Sequence, residues 1–498
     1  MVYQSTRNNQ VISTAAEAIA TGISAEGGLF VPSEFPPMTL SEIADLAPLS
    51  YNGRAKVILS KFLTDFSKEE LADCVDSAYT VEKFGANPTP VVTLEDGEHI
   101  LELWHGPTCA FKDMALQILP HLMRVSVAKK VPGKEIVILV ATSGDTGKAA
   151  LEGFKDAPHT RILVFYPENG VSPMQKLQMT TQEGENVAVC AIRGNFDDAQ
   201  TGVKTIFTDP AVKGKLAEHD MLFSSANSIN WGRLVPQIVY YFSAYADLLK
   251  EGKVKVGDPI NVVVPTGNFG NILAAYYANK MGLPVNKFIC ASNSNNVLTD
   301  FFKTGEYDRR REFYATTSPS MDILISSNLE RLLYDLTGCD DQAVSGMMNE
   351  LKENGHYRVP DAVKERLQAQ FVGGFSTDDE VAETIRDTFE NRGYLLDTHT
   401  AVAVRVYENY RKETGDKTPT VIASTANPYK FSASVLSALG ADVTGADEFE
   451  KVALLQQHTG VQAPSSLLSL KEKKVRFPQV CDREGQQAVV YEMLKIED

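Results

Sequence analysis

Glu135-Ile136-Val137-Ile138-Leu139-Val140-Ala141-Thr142-Ser143-Gly144-Asp145-Thr146-Gly147-Lys148 passes from five consecutive aliphatic side chains straight into a turn of hydroxyls and glycines. An apolar run without alternation is what a strand shows when both of its faces are covered, as in the interior of a parallel sheet. Similar runs recur at 161–165, 186–192, 261–264, 287–291 and 418–423, with amphipathic stretches between them. Strands alternating with helices predict an α/β fold of open, mostly parallel sheets. Ligands then collect at the carboxyl ends of the strands.

The first hundred residues read differently. Amphipathic helical patterns at 40–46 and 53–62 are broken by Gly27-Gly28 and by Pro32, Pro36 and Pro37, which predicts a mainly helical N-terminal domain. The polar stretch Asn87-Pro88-Thr89-Pro90 marks its end. The expected division is therefore 1–95 for that domain, 96–260 for a first part of the α/β fold, and 261–498 for a second part.

Composition narrows the function. The 498 residues carry 48 basic and 64 acidic side chains, a net charge of −16, with no basic block able to follow a nucleic acid. Six scattered cysteines form no C-x-x-C pair, and the eight histidines show no metal-ligand spacing, so neither a disulfide framework nor a metal is implied. No secretory leader and no apolar run of spanning length is evident, so the expectation is a cytoplasmic protein without a membrane segment. A monomer and a homodimer are both compatible with the sequence. An anionic substrate must be held against the overall field by a few local cations and backbone N–H groups.

Those groups are visible. The strand at 261–264 leads into Pro265-Thr266-Gly267-Asn268-Phe269-Gly270-Asn271 and then an apolar helix, a turn suited to a phosphate at a helix N-terminus. Its spacing is neither that of a dinucleotide fingerprint nor that of a Walker loop. The turn at 142–148 suits a carboxylate or another small oxyanion, and Ala149 stands where a Walker loop needs Ser or Thr. Ser225-Ala226-Asn227-Ser228-Ile229-Asn230-Trp231-Gly232-Arg233 crowds amides, hydroxyls and a guanidinium before a helix, and Arg233 suits a phosphate through paired N–H bonds. Each segment alone is equally compatible with helix capping or a structural ion pair. Lys112, a lone cation in His105-Gly106-Pro107-Thr108-Cys109-Ala110-Phe111-Lys112-Asp113-Met114-Ala115, is the candidate amine for a Schiff base with an aldehyde.

In order along the chain, residues 24–32, 105–113, 143–147, 227–233, 265–271 and 425–431 resemble the motifs of threonine synthases. These are pyridoxal-phosphate enzymes of the tryptophan-synthase-β-like, fold type II superfamily. The resemblance spans nearly the whole chain, and the long N-terminal region is similar to the bacterial and fungal branch. It implies pyridoxal 5'-phosphate on Lys112, beside Phe111, with Gly267, Asn268, Phe269, Gly270 and Asn271 around the cofactor phosphate and Thr425 facing the pyridine nitrogen. It implies that Ser143, Gly144, Asp145 and Thr146 receive the substrate carboxylate, and that Asn227, Ser228, Asn230 and Arg233 surround the substrate phosphate.

The implied reaction takes O-phospho-L-homoserine and water to L-threonine and phosphate, the last step of threonine biosynthesis. It requires protons to leave Cα and then Cβ, which suits one lysine acting repeatedly as base and acid. A dehydratase or a phospho-lyase releasing 2-oxobutyrate would use the same lysine and cradle, and a non-catalytic binder of small phosphates could keep the scaffold. Product identity separates these readings.

Overall fold

The computed structural model describes residues 1–142, 144–169 and 171–496. All six expected strands are present, as Glu135–Ala141, Thr160–Pro167, Val187–Ile192, Ile260–Pro265, Val285–Ser292 and Thr420–Ser424. They divide between two sheets. One has five parallel strands in the order Val480–Cys481, Val187–Ile192, Thr160–Pro167, Glu135–Ala141, Met221–Ser224. In its centre Ile136, Val137, Ile138, Leu139 and Val140 are each at most 2% exposed, which accounts for the unbroken apolar run.

The other sheet has six strands in the order Phe371–Phe375, Val285–Ser292, Ile260–Pro265, Thr420–Ser424, Glu98–Glu102, Val91–Glu95. Only the edge strand Val91–Glu95 runs antiparallel. Glu98–Glu102 lies beside Thr420–Ser424, with Leu101 opposite Ala423. An early strand is thus inserted into a late sheet, and the chain that follows it carries Lys112 into the centre of the molecule.

The N-terminal region is helical as expected, but it also contains a small antiparallel sheet, Asn8–Ser13, Tyr3–Ser5 and Phe30–Pro32. Tyr3–Ser5 and Phe30–Pro32 have three residues each, too few for a period of two to show. Its helices have clear starts: Ser50 caps Tyr51–Phe62, and Ser67 with Glu70 forms a capping box on Lys68–Ala78. The helix Trp231–Lys250 is buried on all sides and packs on both Tyr51–Phe62 and Gly270–Lys280. Trp231 at its start is fully buried against the rings of Tyr3 and Phe62. The N-terminal region is therefore fixed to the element that presents Arg233. Among the described residues no helix is long and apolar enough to cross a membrane.

Candidate active site

Five of the segments singled out above leave the carboxyl ends of parallel strands: 103–112, 142–147, 225–233, 266–271 and 425–427. They converge on one cleft of about 2380 Å³. Phe111, Lys112, Asp145, Thr146, Asn227, Ser228, Arg233 and Thr425 line it, together with the whole of 265–271. Ser143 lies outside the described residues.

Lys112 sits just before the short helix Asp113–Leu116, with 13% of its side chain exposed. Its Nζ lies 4.0 Å from Asp145 Oδ2, 3.5 Å from Ser320 Oγ and 5.2 Å from the centre of the Phe111 ring. Burial lowers its pKa to about 8; Asp145 opposes that shift, while Lys430 and Arg233 add to it. About a tenth of such a lysine is a neutral amine at pH 7, against a few parts in ten thousand for an ordinary one. Asp113 points away, its two oxygens accepting the Thr108 N–H at 2.8 Å and hydroxyl at 2.7 Å, and burial raises its pKa to about 6.

Backbone pairing aligns Thr425 with this segment. Phe111 N–H donates to the Thr425 carbonyl at 2.8 Å, Asn427 N–H donates to the Cys109 carbonyl at 3.0 Å, and Ala110 bridges Ala426. The Thr425 side chain is almost wholly buried at the cleft wall.

The turn after Ile260–Pro265 fits a phosphate on three counts. A β-carbon on Gly267 would stand 2.7 Å from the Ser320 carbonyl oxygen, so the backbone approaches closely only because glycine is there. Phe269 adopts φ +66°, a left-handed conformation uncommon for a non-glycine residue. It opens the helix Gly270–Lys280, whose first N–H groups receive no side-chain cap. Asn271 accepts hydrogen bonds from the hydroxyls of Tyr240, at 2.7 Å, and Tyr241, while its Nδ2 is buried with no protein partner. That donor is free for an anion held in the turn.

Arg233 is 3% exposed, yet among the described residues its guanidinium makes one hydrogen bond, from Nη1 to the Ala226 carbonyl at 2.5 Å, and its Nε has no partner there. No carboxylate among the described residues pairs with it. Burial lowers its pKa to about 10, which still leaves it charged. A buried cation without a counter-ion is costly unless an anion arrives.

Two expected positions do not face the cleft as ligands. Asn230 is fully buried; its Oδ1 accepts the Gly232 N–H at 2.8 Å, and its Nδ2 donates to the carbonyls of Ile19 at 3.0 Å and Ser225 at 2.8 Å. It caps the helix Trp231–Lys250 and ties it to the N-terminal region. Gly144 is covered by Gln175, which a β-carbon there would meet at 2.4 Å. The Asp145 carboxylate accepts bonds from Lys430 at 2.6 Å and Gln175 at 3.1 Å. Burial would raise its pKa, but Lys430 and then Lys112 hold it below the usual carboxylate range. An ionised carboxylate repels another, so the Asp145 side chain is itself unsuited to hold a carboxylate.

Sequence reasoning missed three groups. Ser320 stands 3.5 Å from Lys112 and 3.4 Å from Asp145. Its backbone N–H donates to His399 Nε2 at 3.2 Å, and His399 Nδ1 faces Asp397 at 3.1 Å, which fixes the ring. Lys430 lies within the 425–431 motif, where an isolated lysine after proline carried no signal of burial. Asn328 joins two of the expected cradles, donating to the carbonyls of Ser228 at 3.2 Å and Asn268 at 3.1 Å.

Three family models match the chain: "Threonine synthase N terminus" over residues 2–79, "Pyridoxal-phosphate dependent enzyme" over 83–426, and "Threonine synthase, C-terminal" over 400–489. Among curated relatives, threonine synthase-like 1 of Homo sapiens is 43% identical over 85% of this chain. The chain spans 58% of the length of that human protein. Threonine synthase of Pseudomonas aeruginosa is 39% identical over 87% of this chain and 90% of its own. The crystal structure of PLP-bound threonine synthase from Brucella melitensis superposes with a TM-score of 0.88, at 36% identity over 100% of both chains.

Proposed function

The chain belongs to the threonine synthase family of pyridoxal-phosphate-dependent enzymes, and from that premise we propose that it converts O-phospho-L-homoserine and water to L-threonine and phosphate. The observation that carries the reading is the pairing of a buried, easily deprotonated Lys112 with an unneutralised Arg233 in one cleft. An amine for an aldehyde and a cation for a phosphate line the same space.

When bound, pyridoxal phosphate supplies the aldehyde and the electron-accepting ring that makes C–H bonds near a substrate's amino group acidic. Gly267, Asn268, Phe269, Gly270 and Asn271 would hold its phosphate, and Phe111 and Thr425 would border the ring. A hydroxyl such as that of Thr425 does not force protonation of the ring nitrogen as a carboxylate does, which limits side reactions. Lys112 would hold the cofactor covalently. Once freed by substrate it is the base that takes protons from Cα and Cβ and the acid that returns them. Thr146 and the backbone at Asp145 and Thr146 would receive the substrate carboxylate. Asn227, Ser228 and Arg233 bind the phosphate that leaves, and Asn328 keeps this cradle in register with the one at Asn268.

The test is to incubate the purified protein with O-phosphohomoserine and follow phosphate, threonine and 2-oxobutyrate together. Threonine and phosphate in equal amounts are expected. Phosphate with 2-oxobutyrate and no threonine would mean a phospho-lyase instead, and no phosphate release at all would remove the substrate assignment. A cytoplasmic location is part of this proposal, to be checked by fractionation.

A further inference from the structure

Lys430 is fully buried on the short turn Pro428–Phe431, where its ammonium donates to the Thr108 carbonyl at 2.9 Å and pairs with Asp145 Oδ1 at 2.6 Å. The other oxygen of the same carboxylate faces Lys112 at 4.0 Å. We infer that Lys430 is a positioning residue that sets how readily Lys112 gives up its proton, acting through the Asp145 carboxylate that the two lysines share. The inference rests on reading Lys112 as the amine that takes the cofactor.

A buried lysine is tolerated when it is paired, and a simpler role would be a clasp between strand ends. The charges around Lys112 point further. Asp145 faces it from the start of Asp145–Phe154, while Lys430 on Pro428–Phe431, Arg233 on Trp231–Lys250 and Asp113, turned away toward Thr108 on its own helix, act on it from further off. The nearest of these is the Asp145 carboxylate, and it cannot swing, because Gln175 and the Ser320 hydroxyl also donate to it, at 3.1 and 3.4 Å. If Asp145 served Lys112 alone, the pair would hold the proton firmly at neutral pH, and a protonated amine does not attack an aldehyde. With no carboxylate, burial would strip the proton and leave no acid to return it. Sharing one carboxylate between two ammonium groups places Lys112 between those extremes.

The experiment titrates Lys112 itself in the full chain freed of cofactor. Competitive acetylation with acetic anhydride across pH, read on the Lys112 peptide by mass spectrometry, reports the midpoint. Lys430→Met should raise it by about one pH unit or more, a tenfold fall in neutral amine at pH 7. Asp145→Asn should lower it by a similar amount, and the double variant should fall between the singles. If Lys430→Met does not fold, Lys430→Gln keeps a donor for the Thr108 carbonyl while removing the charge. A mere clasp predicts otherwise: both substitutions break the same pair, so both midpoints would move in one direction or stay put, and either result overturns the inference. Borohydride reduction of the holoenzyme with peptide mapping examines the underlying reading separately. Cofactor fixed on another lysine removes both, whereas cofactor on Lys112 with an unmoved titration removes only the role of Lys430.

Discussion

Gly267 and Ser320 approach so closely that their backbones leave no room for a methyl group: a β-carbon on Gly267 would lie 2.7 Å from the Ser320 carbonyl oxygen. Ser320 in turn reaches Lys112 and Asp145 through its hydroxyl. The turn proposed for the cofactor phosphate and the amine are thus joined through one residue from a third segment. Gly267→Ala should displace that segment at a cost of about 1–3 kcal/mol. Equilibrium titration with pyridoxal phosphate should show affinity reduced at least tenfold, and unchanged affinity would contradict the close approach.

The pKa of Lys112, lowered to about 8, predicts a pH profile. Below that value the folded chain holds an unwelcome ammonium, and the unfolded chain keeps its proton until about pH 10.4. The unfolded state therefore binds more protons across that window, and stability rises with pH from about 8 to about 10. Unfolding of the cofactor-free protein in urea should show this gain, and Lys112→Met should abolish it. Cofactor capture should also speed up about tenfold per pH unit below 8 and then level off.

Arg233→Met separates binding from folding. Among the described residues the guanidinium has a single carbonyl partner and no carboxylate, so its loss removes an uncompensated buried charge. The melting temperature without ligand should hold or rise. The thermal shift given by inorganic phosphate should disappear, and kcat/KM for O-phosphohomoserine should fall by about 2–4 kcal/mol in transition-state terms.

Asn230→Ala should do the reverse. Its side chain satisfies one N–H and two carbonyls inside the protein, so its loss should cost roughly 1–3 kcal/mol of stability. Phosphate affinity per folded molecule should stay within about twofold, as calorimetry below the melting range would show.

How much was legible follows from burial and distance along the chain. The central strands could be read because parallel strands covered on both faces need unbroken apolar runs, as at Ile136 to Val140. Glycine-rich turns at strand ends were legible for the same local reason. Ser320, His399 and Lys430 were not: each is an ordinary polar residue locally, and only the fold brings Ser320 to Lys112, Lys430 to Asp145 and His399 against the Ser320 backbone. Asn230 shows the converse case. It stands in a run of polar residues beside true cleft positions, yet one residue further along, the chain turns inward to start a helix.

The insertion of Glu98–Glu102 beside Thr420–Ser424 has a bearing on synthesis. A nascent chain emerges from the ribosome with the lysine segment exposed hundreds of residues before the neighbour that completes its sheet. Until then the strand has one free edge, and the amine lacks the wall that withdraws it from water. Such late closure is slow because distant segments must meet. It also means that carbonyl metabolites encounter an ordinary, protonated lysine on the unfinished polypeptide, and that reactivity toward them is switched on only by completion of the fold.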